Sequence, residues 1–581
     1  MAGWSLWVFG QAKDGQGAGM QGFLHRTPCG PTESALGMGV RSSSAPTSWN
    51  PFVSLRLCWL LLTLAASVAP ASGAARGAPA PDESAALFDE TLLVLDIALK
   101  PDDWDALSLQ TMEDPKLYAE STVRWGDRTW KNVGIKLKGS YGSFQSAGER
   151  PGLTLHFDKF KGCRPFAGLT QLHLNNGAQD DTRLHEWLGG ELARAAGVPA
   201  GRCTHAWVRL QGVDRGLYVL RESFTPGMLS AWFGPPGRGD LYDPGRGGDL
   251  DPAMKRSGGD SESTGSLGML VEAVQQTDPA ERSAALGAVL DIGAFNAFTA
   301  AEVLLGHWDG YALAANNYRV YRRPDDGRFV FLAHGMDQIL GDPDAPLFPG
   351  FHGSVAVALR EIPGQPNTWA AELRRQVDTV WSRGDWDNRI QTRASKLADA
   401  VEAHDPSLAS TLREQGADLA RRFTERLAFA GPAVRHPPRS FPHARSGPIL
   451  LTDGWHPDRD PHPEMTFRES ADSDRTWRLE ASGPGSGSWR QTVDLPPGRY
   501  RFSARVTTTG VGVGDLESPR GAGLRVLGGE VRSRAWVRGT RRTRECRMEF
   551  DADGPVCLLL ELRAESGMAA FDADSLRLEP R

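Results

Sequence analysis

Residues 307–337 read HWDGYALAANNYRVYRRPDDGRFVFLAHGMD, and their order decides how the chain is understood. An apolar helix expected over Asp291–Leu305 leads into them. Asp309 follows in the loop after that helix, and Asn317 stands eight residues further on. A β-hairpin over Tyr318–Tyr321 and Phe329–Leu332 turns at Pro324-Asp325-Asp326-Gly327, and Asp337 follows the returning strand. Loop Asp, Asn, hairpin and second Asp is the layout of a kinase catalytic centre. There the first Asp orients or deprotonates an acceptor hydroxyl, and the Asn and second Asp hold Mg²⁺ on the phosphates. Hard oxygen ligands suit Mg²⁺, and a placed carboxylate suits a hydroxyl nucleophile. The Asp-to-Asn gap is longer than in HRDxxxxN and there is no DFG, so by spacing alone Asp309 reads more readily as a cap or an Asx-turn.

Upstream, Lys136-Leu137-Lys138-Gly139-Ser140-Tyr141-Gly142-Ser143-Phe144 ends a strand with a short Gly/Ser loop. Such a loop lets backbone N–H groups approach phosphates, yet it is neither GxGxxG nor GxxxxGK[ST]. Only ten of the 65 Lys+Arg are Lys, and seven of these lie between Lys100 and Lys161. A solvated face or a nucleotide-facing strand would both produce that cluster.

The chain has 581 residues, formal net charge −6, 40% hydrophobic and 23% charged residues. This excludes collagen-like, membrane-embedded and largely disordered chains, and the near-neutral balance gives no case for nucleic acid. Leu57–Val68 (LCWLLLTLAASV) is too short to span a bilayer. With Arg56 before it and Ala71-Ser72-Gly73-Ala74 after it, it reads as a secretory signal peptide cut near Gly73–Ala74. The stretch ahead of it suggests an over-extended start, with Met38 or Val53 as the beginning. After the cut Cys163, Cys203, Cys546 and Cys557 remain. Cys546 and Cys557 are expected on neighbouring strands joined by Asp551–Pro555, open to a cross-strand disulfide in an oxidising compartment. No Cys/His spacing suggests zinc.

The expected organisation is an extension and signal over 1–73, a linker over 74–86, a folded region over 87–430, a Pro/Arg/His-rich linker over 431–448 and an all-β sandwich over 449–581. Within the folded region, strands are expected at Ser121–Trp125, Asn132–Lys138 and Gly152–Phe157. A helix is expected over Asp181–Ala196, capped by Asp180 or Asp181. A hairpin follows over His205–Leu210 and Gly216–Leu220, then a long loop over Arg238–Thr264 and helical periodicity from Thr368 to Leu427.

Several blocks in one order carry a resemblance: GIKLKGSYGSF, RPGLTLHFDKF from Arg150, FAGLTQLHLNN, RLHEWLGGELARAAGVPAGR, GLYVLRESF with Glu222, GDLYD, NNYRVY and FVFLAHGMDQIL with Asp337. Over about Val133–Gly341 the chain resembles the CotH kinase family, the spore-coat-protein-H-like atypical kinases. The resemblance implies an α+β fold: an atypical protein-kinase-like core, here followed by a jelly-roll or sandwich domain. It implies a secreted or cell-surface enzyme moving phosphate from ATP with Mg²⁺ to Ser/Thr of a protein substrate. By position, Asp309 looks like the family's catalytic Asp, Asp337 its metal-binding Asp and Asn317 the co-ligand. Lys138 and Glu222 look like the ATP-side ion pair. Arg150 stands where the family usually has a phosphate-contacting Lys, and Arg is not an equivalent replacement. His334-Gly335-Met336 replaces the usual Trp-Asp before the second Asp.

These departures leave a second reading open, a pseudokinase-like surface or adhesion protein that binds glycans through its C-terminal domain. There, Trp489-Arg490-Gln491, Pro496-Pro497-Gly498-Arg499-Tyr500 and Phe571-Asp572-Ala573-Asp574-Ser575-Leu576 resemble strand blocks of carbohydrate-binding jelly rolls. The resemblance suggests a structural Ca²⁺ near Asp572 or Asp574. No membrane anchor is expected to remain once the signal is removed.

Overall fold

Alternating sequence builds the first half of the fold. In β1 (Leu93–Leu99) Leu93, Leu95 and Ile97 are buried while the residues between them are not, the period-2 signature of a strand with one covered face. The same rule runs through β2 (Ala119–Trp125), β3 (Arg128–Lys138), β4 (Gly152–His156), β5 (Gln171–Asn175), β6 (Cys203–Leu210) and β7 (Val213–Glu222). These seven strands close into a barrel in the order β1-β2-β3-β4-β5-β7-β6. The β1–β6 pair that closes it is parallel, with Leu95 opposite Val208. Val133, Ile135, Leu137, Leu155, Leu172 and Leu174 fill its interior. Gly134, Lys136 and Lys138 therefore face outward from β3.

The computed structural model describes residues 83–244, 247–259, 266–440, 447–452, 454–457, 465–470, 475–513, 521–527, 530–533 and 536–581. The expected signal peptide, both start sites and most of the linker over 74–86 lie outside them. Among the described residues, no helix is long and apolar enough to cross a membrane.

A second sheet has the order β11-β10-β8-β9, made of β8 (Asp240–Tyr242), β9 (Arg256–Gly258), β10 (Tyr318–Arg322) and β11 (Phe329–Ala333). Two of its strands fall inside the stretch expected to be loop. They form because β10 offers a free edge, with Val320 opposite Tyr242. The β6–β7 hairpin is tighter than expected. Gln211 and Gly212 take φ of 54° and 73°, and two positive φ values in a row make a two-residue turn.

The helix expected from Asp181 starts later and spans His185–Ala195. Asp180 accounts for the delay: its carboxylate accepts from the backbone N–H groups of Thr182, Arg183 and His185, so residues 181–184 form a turn. Helix Ile292–Leu305 is capped by Asp291, which accepts from Ala294 N–H, and ends at Gly306 with φ 61°. The expected helical stretch resolves into Gln365–Gln376, a π turn Val377–Trp381, Trp386–Val401 and Pro406–Ala433.

Arg426, on the last of these, is fully buried. Its guanidinium donates to the carbonyls of Val303, Leu304, Pro343 and Ala345. It thus places a cation on the last turn of helix Ile292–Leu305, where the macrodipole favours one, and ties that turn to the loop after β11. Burial pulls its pKa down to about 10, which still leaves it charged at neutral pH.

The C-terminal region has its own core, including Trp455, Leu479, Phe502, Phe550 and Phe571. Strands Gly485–Gly512 and Gly539–Ala564 pair along most of their length. Ser488–Leu495 and Gly498–Val506, expected as two strands, are one strand with a register shift between Leu495 and Gly498. Cys546 and Cys557 consequently lie on a single extended strand, and the expected cross-strand disulfide does not form. All four described cysteines are outside disulfide bonds. Arg360 joins this region to the helical body, its Nε donating to Asp494 Oδ2 at 3.0 Å.

Replacing Arg426 by Met would remove the guanidinium donor from the buried Leu304 and Val303 carbonyls and from the part-buried Pro343 and Ala345 carbonyls. Arg426→Met is expected to lower the unfolding free energy by about 3 kcal/mol or more, read as a shifted urea midpoint at unchanged slope. A midpoint equal to wild type would mean the guanidinium bonds contribute nothing net.

Candidate functional site

A cleft opens between the barrel's outer face and the 307–338 segment. Lys138, the Gly139–Ser143 loop, Asn175, Glu186, Asp309, Asn316, Asn317 and Asp337 line it. Of the six residues singled out in the sequence, four meet here: Lys138, Asp309, Asn317 and Asp337.

Lys138 closes β3 where the strand hands over to the Gly/Ser loop. Opposite it is Gly152, where a Cβ would lie 2.9 Å from the Lys138 carbonyl oxygen, so only glycine fits. The Lys138 ammonium donates to Asn175 Oδ1 at 2.6 Å. Asn175 Nδ2 in turn donates to Glu186 Oε2, and the other Glu186 oxygen is 3.8 Å from Arg221. Burial lowers the Lys138 pKa, with Glu186 pulling it back up.

The carboxylate beside Lys138 is therefore Glu186, not Glu222. On β7, Arg221 and Glu222 are adjacent and must face opposite sides. Arg221 takes the cleft side. Glu222 is held on the other side by Arg202, whose Nε and second guanidinium nitrogen reach its two oxygens at 2.9 and 2.7 Å. Glu186 left a signal that the sequence reading passed over. Gly189 and Gly190 follow at i+3 and i+4, on the same helix face, and glycines there mark a close approach. Indeed a Cβ on Gly189 would sit 2.9 Å from Met336 Cβ.

Arg150 is also elsewhere. Its guanidinium donates to the Leu217 carbonyl and lies over the Tyr218 ring at 5.3 Å, against a residue of the barrel interior. Only its backbone serves the cleft wall, its carbonyl accepting from Asn176 Nδ2 at 2.9 Å. The expectation of a phosphate-contacting Arg150 is corrected on that geometry.

The acidic side is built on Glu302. This buried carboxyl group accepts from the backbone N–H groups of Tyr311 and Ala312, both at 2.8 Å, which folds the chain after Asp309 back onto the helix. Burial pushes its pKa up to about 8. His307, 3.8 Å away, hydrogen-bonds through Nε2 to the Gly335 carbonyl at 2.9 Å, and burial lowers its pKa to about 4.

Asp309 receives one amide on each oxygen, Asn316 Nδ2 at 3.0 Å and Asn317 Nδ2 at 2.8 Å. Gly335 adopts φ 62°, and a Cβ there would fall 2.5 Å from the Asn317 side chain. The departure His334-Gly335-Met336 thus has a physical reason: this turn admits only glycine beside Asn317. Asn316, Asn175, His307 and Glu302 escaped the sequence reading because each acts through a contact that the spacing does not reveal.

Asp337 follows, its backbone carbonyl at hydrogen-bond distance (2.9 Å) from His185 Nδ1. Burial first, then the nearby Glu186, pushes its carboxyl up to about 7, against the pull of Lys138. The donor set suits Mg²⁺. Among the described residues there is no cluster of three or more His, Cys, Asp or Glu able to hold a metal. Mg²⁺ typically takes only one or two carboxylates from a protein, with substrate phosphates and water completing the shell. Asp337 and the amide oxygen of Asn317 would be its ligands here. In the C-terminal domain, Asp572 is held by Arg505 at 2.7 Å and Asp574 by Arg475 at 3.2 Å, so both carboxylates suggested for Ca²⁺ have arginine partners.

Residues 135–394 match the family described as CotH kinase protein, which bears out the resemblance and carries it past Gly341 into the helices. Invasin CotH2 of Rhizopus delemar is 25% identical over 32% of this chain and 34% of its own length; the chain thus spans about a third of that relative. Among solved structures, the Helicobacter pylori proinflammatory kinase CtkA is aligned over 49% of this chain and 94% of its own at 9% identity, TM-score 0.25. TmCBM61, solved with β-1,4-galactotriose, covers 23% of this chain and 92% of its own at 17% identity, TM-score 0.17. Scores this low support no conclusion about this chain.

Glu302 keeps its proton to about pH 8 in the folded chain but loses it near its ordinary value when unfolded. Stability therefore falls as pH rises through that interval. His307, neutral when folded down to about pH 4, gives the opposite slope below its ordinary value, and Asp337 adds a falling slope only up to about 7. Above pH 7 the Asp337 contribution fades while Glu302 still supplies a falling slope. Glu302→Gln is expected to flatten the stability profile between pH 7 and 8, where wild type loses up to about 1.4 kcal/mol per unit. Parallel profiles from denaturation at three pH values would contradict the assignment.

Proposed function

We propose that a chain whose residues 135–394 match the CotH kinase family works as an exported atypical kinase, moving the terminal phosphate of Mg-ATP to Ser/Thr hydroxyls of surface or coat proteins. One observation carries the reading: Lys138, Asp309, Asn317 and Asp337, from opposite walls, line a single cleft.

In this reading the Gly139–Ser143 loop and the Lys138 ammonium receive the phosphates, with Asn175 and Glu186 holding that ammonium in place. Asp309, its two oxygens fixed by Asn316 and Asn317, orients the acceptor hydroxyl and takes its proton as the oxygen attacks. Mg²⁺, bound by Asp337 and Asn317, would supply charge neutralisation on the phosphates. The raised pKa of Asp337 supports this part, because a carboxyl crowded by Glu186 gains from a cation. Arg150 withdrawn from the cleft favours the second reading, a non-catalytic surface protein that binds glycans through its C-terminal domain.

Phosphate transfer from labelled ATP separates the two. Wild type should label a Ser/Thr substrate or itself, and Asp309→Ala and Asp337→Ala should each reduce the signal by about 10³-fold or more. Equal signal in all three proteins removes the kinase reading, and glycan-array binding by the full chain would then support the second.

Nucleotide affinity gives an independent check. Lys138→Ala should weaken Mg-ATP binding more than Lys136→Ala does, since only Lys138 lines the cleft beside the loop. Equal losses would place the phosphates elsewhere.

A further inference from the structure

A second, open pocket lies beside the first and shares His334 with it. Its floor is one cross-strand row of the barrel's outer face. Lys136 pairs with Thr154, Thr154 with His173 and His173 with Arg221. Lys255, Arg256 and Arg319 add to its walls. We propose that this cavity is a separate site for a multiply charged oxyanion, a phosphate-bearing or polycarboxylate small molecule. The role goes beyond phosphate transfer and does not depend on it.

The cavity lining carries five cations, Lys136, Arg221, Lys255, Arg256 and Arg319, against three carboxylates, Asp243, Asp249 and Asp251. Asp249 accepts from Tyr311 Oη, Ser354 N–H and Ser354 Oγ, and Asp251 accepts from Ala253 N–H. Asp243 lies 3.1 Å from Arg319, and Arg256 lies 3.2 Å from Asp240. Lys136 and Lys255 remain. Among the described residues neither makes an ion pair with a carboxylate; the Lys136 ammonium rests over the Tyr118 ring at 4.9 Å and feels Asp243 only through space.

Arg221 is 4% exposed and its Nε has no hydrogen-bond partner. The guanidinium otherwise meets His334 Nδ1 and lies 3.8 Å from Glu186, so only the Nε is left buried without a partner, which is costly. The imidazoles report the same field. Burial, and then Lys138, Arg221, Arg319 and Lys136, hold His173 well below its ordinary pKa. His334 is held down by burial and by Arg221, Arg319 and Lys138. Cations crowded along one row of a sheet repel, and a bound dianion would relieve them. The site is distinct from the cleft because the Lys138 ammonium is turned to Asn175 rather than to this row.

The test is calorimetric titration of the full chain, without divalent cations, using pyrophosphate and citrate as probes. Lys138→Gln serves as the background, so that the first cleft is weakened. That protein should still bind at least one probe, the preferred one naming the class of anion. Adding Lys136→Gln or Lys255→Gln should weaken binding about tenfold each, the worth of one charge-assisted contact. Absence of binding in the Lys138→Gln protein, or affinity unchanged by the added substitutions, overturns the proposal. Should Lys138→Gln fail to fold, exposed Lys255→Gln in the otherwise wild-type chain decides in the same way: a tenfold loss supports the site and no loss refutes it.

Discussion

One buried carboxyl group holds the acidic half of the cleft together. Glu302 sits on a helix that is buried almost all round, and it accepts the backbone N–H groups of Tyr311 and Ala312. Without it, those donors would be buried and unpaired, and the turn carrying Asp309 would have no reason to fold back. The helix that bears Glu302 is itself anchored at its end by Arg426. Two buried polar groups on separate helices thus determine where a half-exposed Asp309 stands. His307 extends the same network to Gly335, which lies against Asn317.

The opposite wall follows a simpler rule. A closed barrel has one interior, so every second residue of β3, β5 and β7 is turned outward. Lys136, Lys138, His173, Asn175 and Arg221 share that outer face by parity alone. Which of them serves phosphates depends on the end of the strand. Lys138 and Asn175 lie near the Gly/Ser loop, whereas Lys136, His173 and Arg221 lie one row away. Strand parity also accounts for the placement of Glu222, one residue from Arg221 and on the other side of the sheet.

Much of this could be read directly from residue order. The apolar helix ahead of Asp309, the hairpin between Asn317 and Asp337 and the β-rich tail all appear as expected, because each depends on local periodicity or turn chemistry. The losses were equally physical. Strands β8 and β9 are three residues each and exist only because β10 offers them an edge. The long strand pair of the tail was divided at Pro496-Pro497-Gly498, since a sequence cannot show that a bend keeps its ladder. The disulfide expectation failed with it.

By itself, then, the sequence determined the kind of chemistry: a loop Asp, an Asn and a second Asp around a hairpin, and a lysine beside a Gly/Ser loop. Only the tertiary structure decided the partners. It chose Glu186 over Glu222 for Lys138, sent Arg150 to the Leu217 carbonyl, and gathered a row of cations that no spacing predicts. The reason is that hydrogen bonds and ion pairs form across strands and between helices far apart in the chain. Local order states which groups exist, and closure of the barrel states which of them meet.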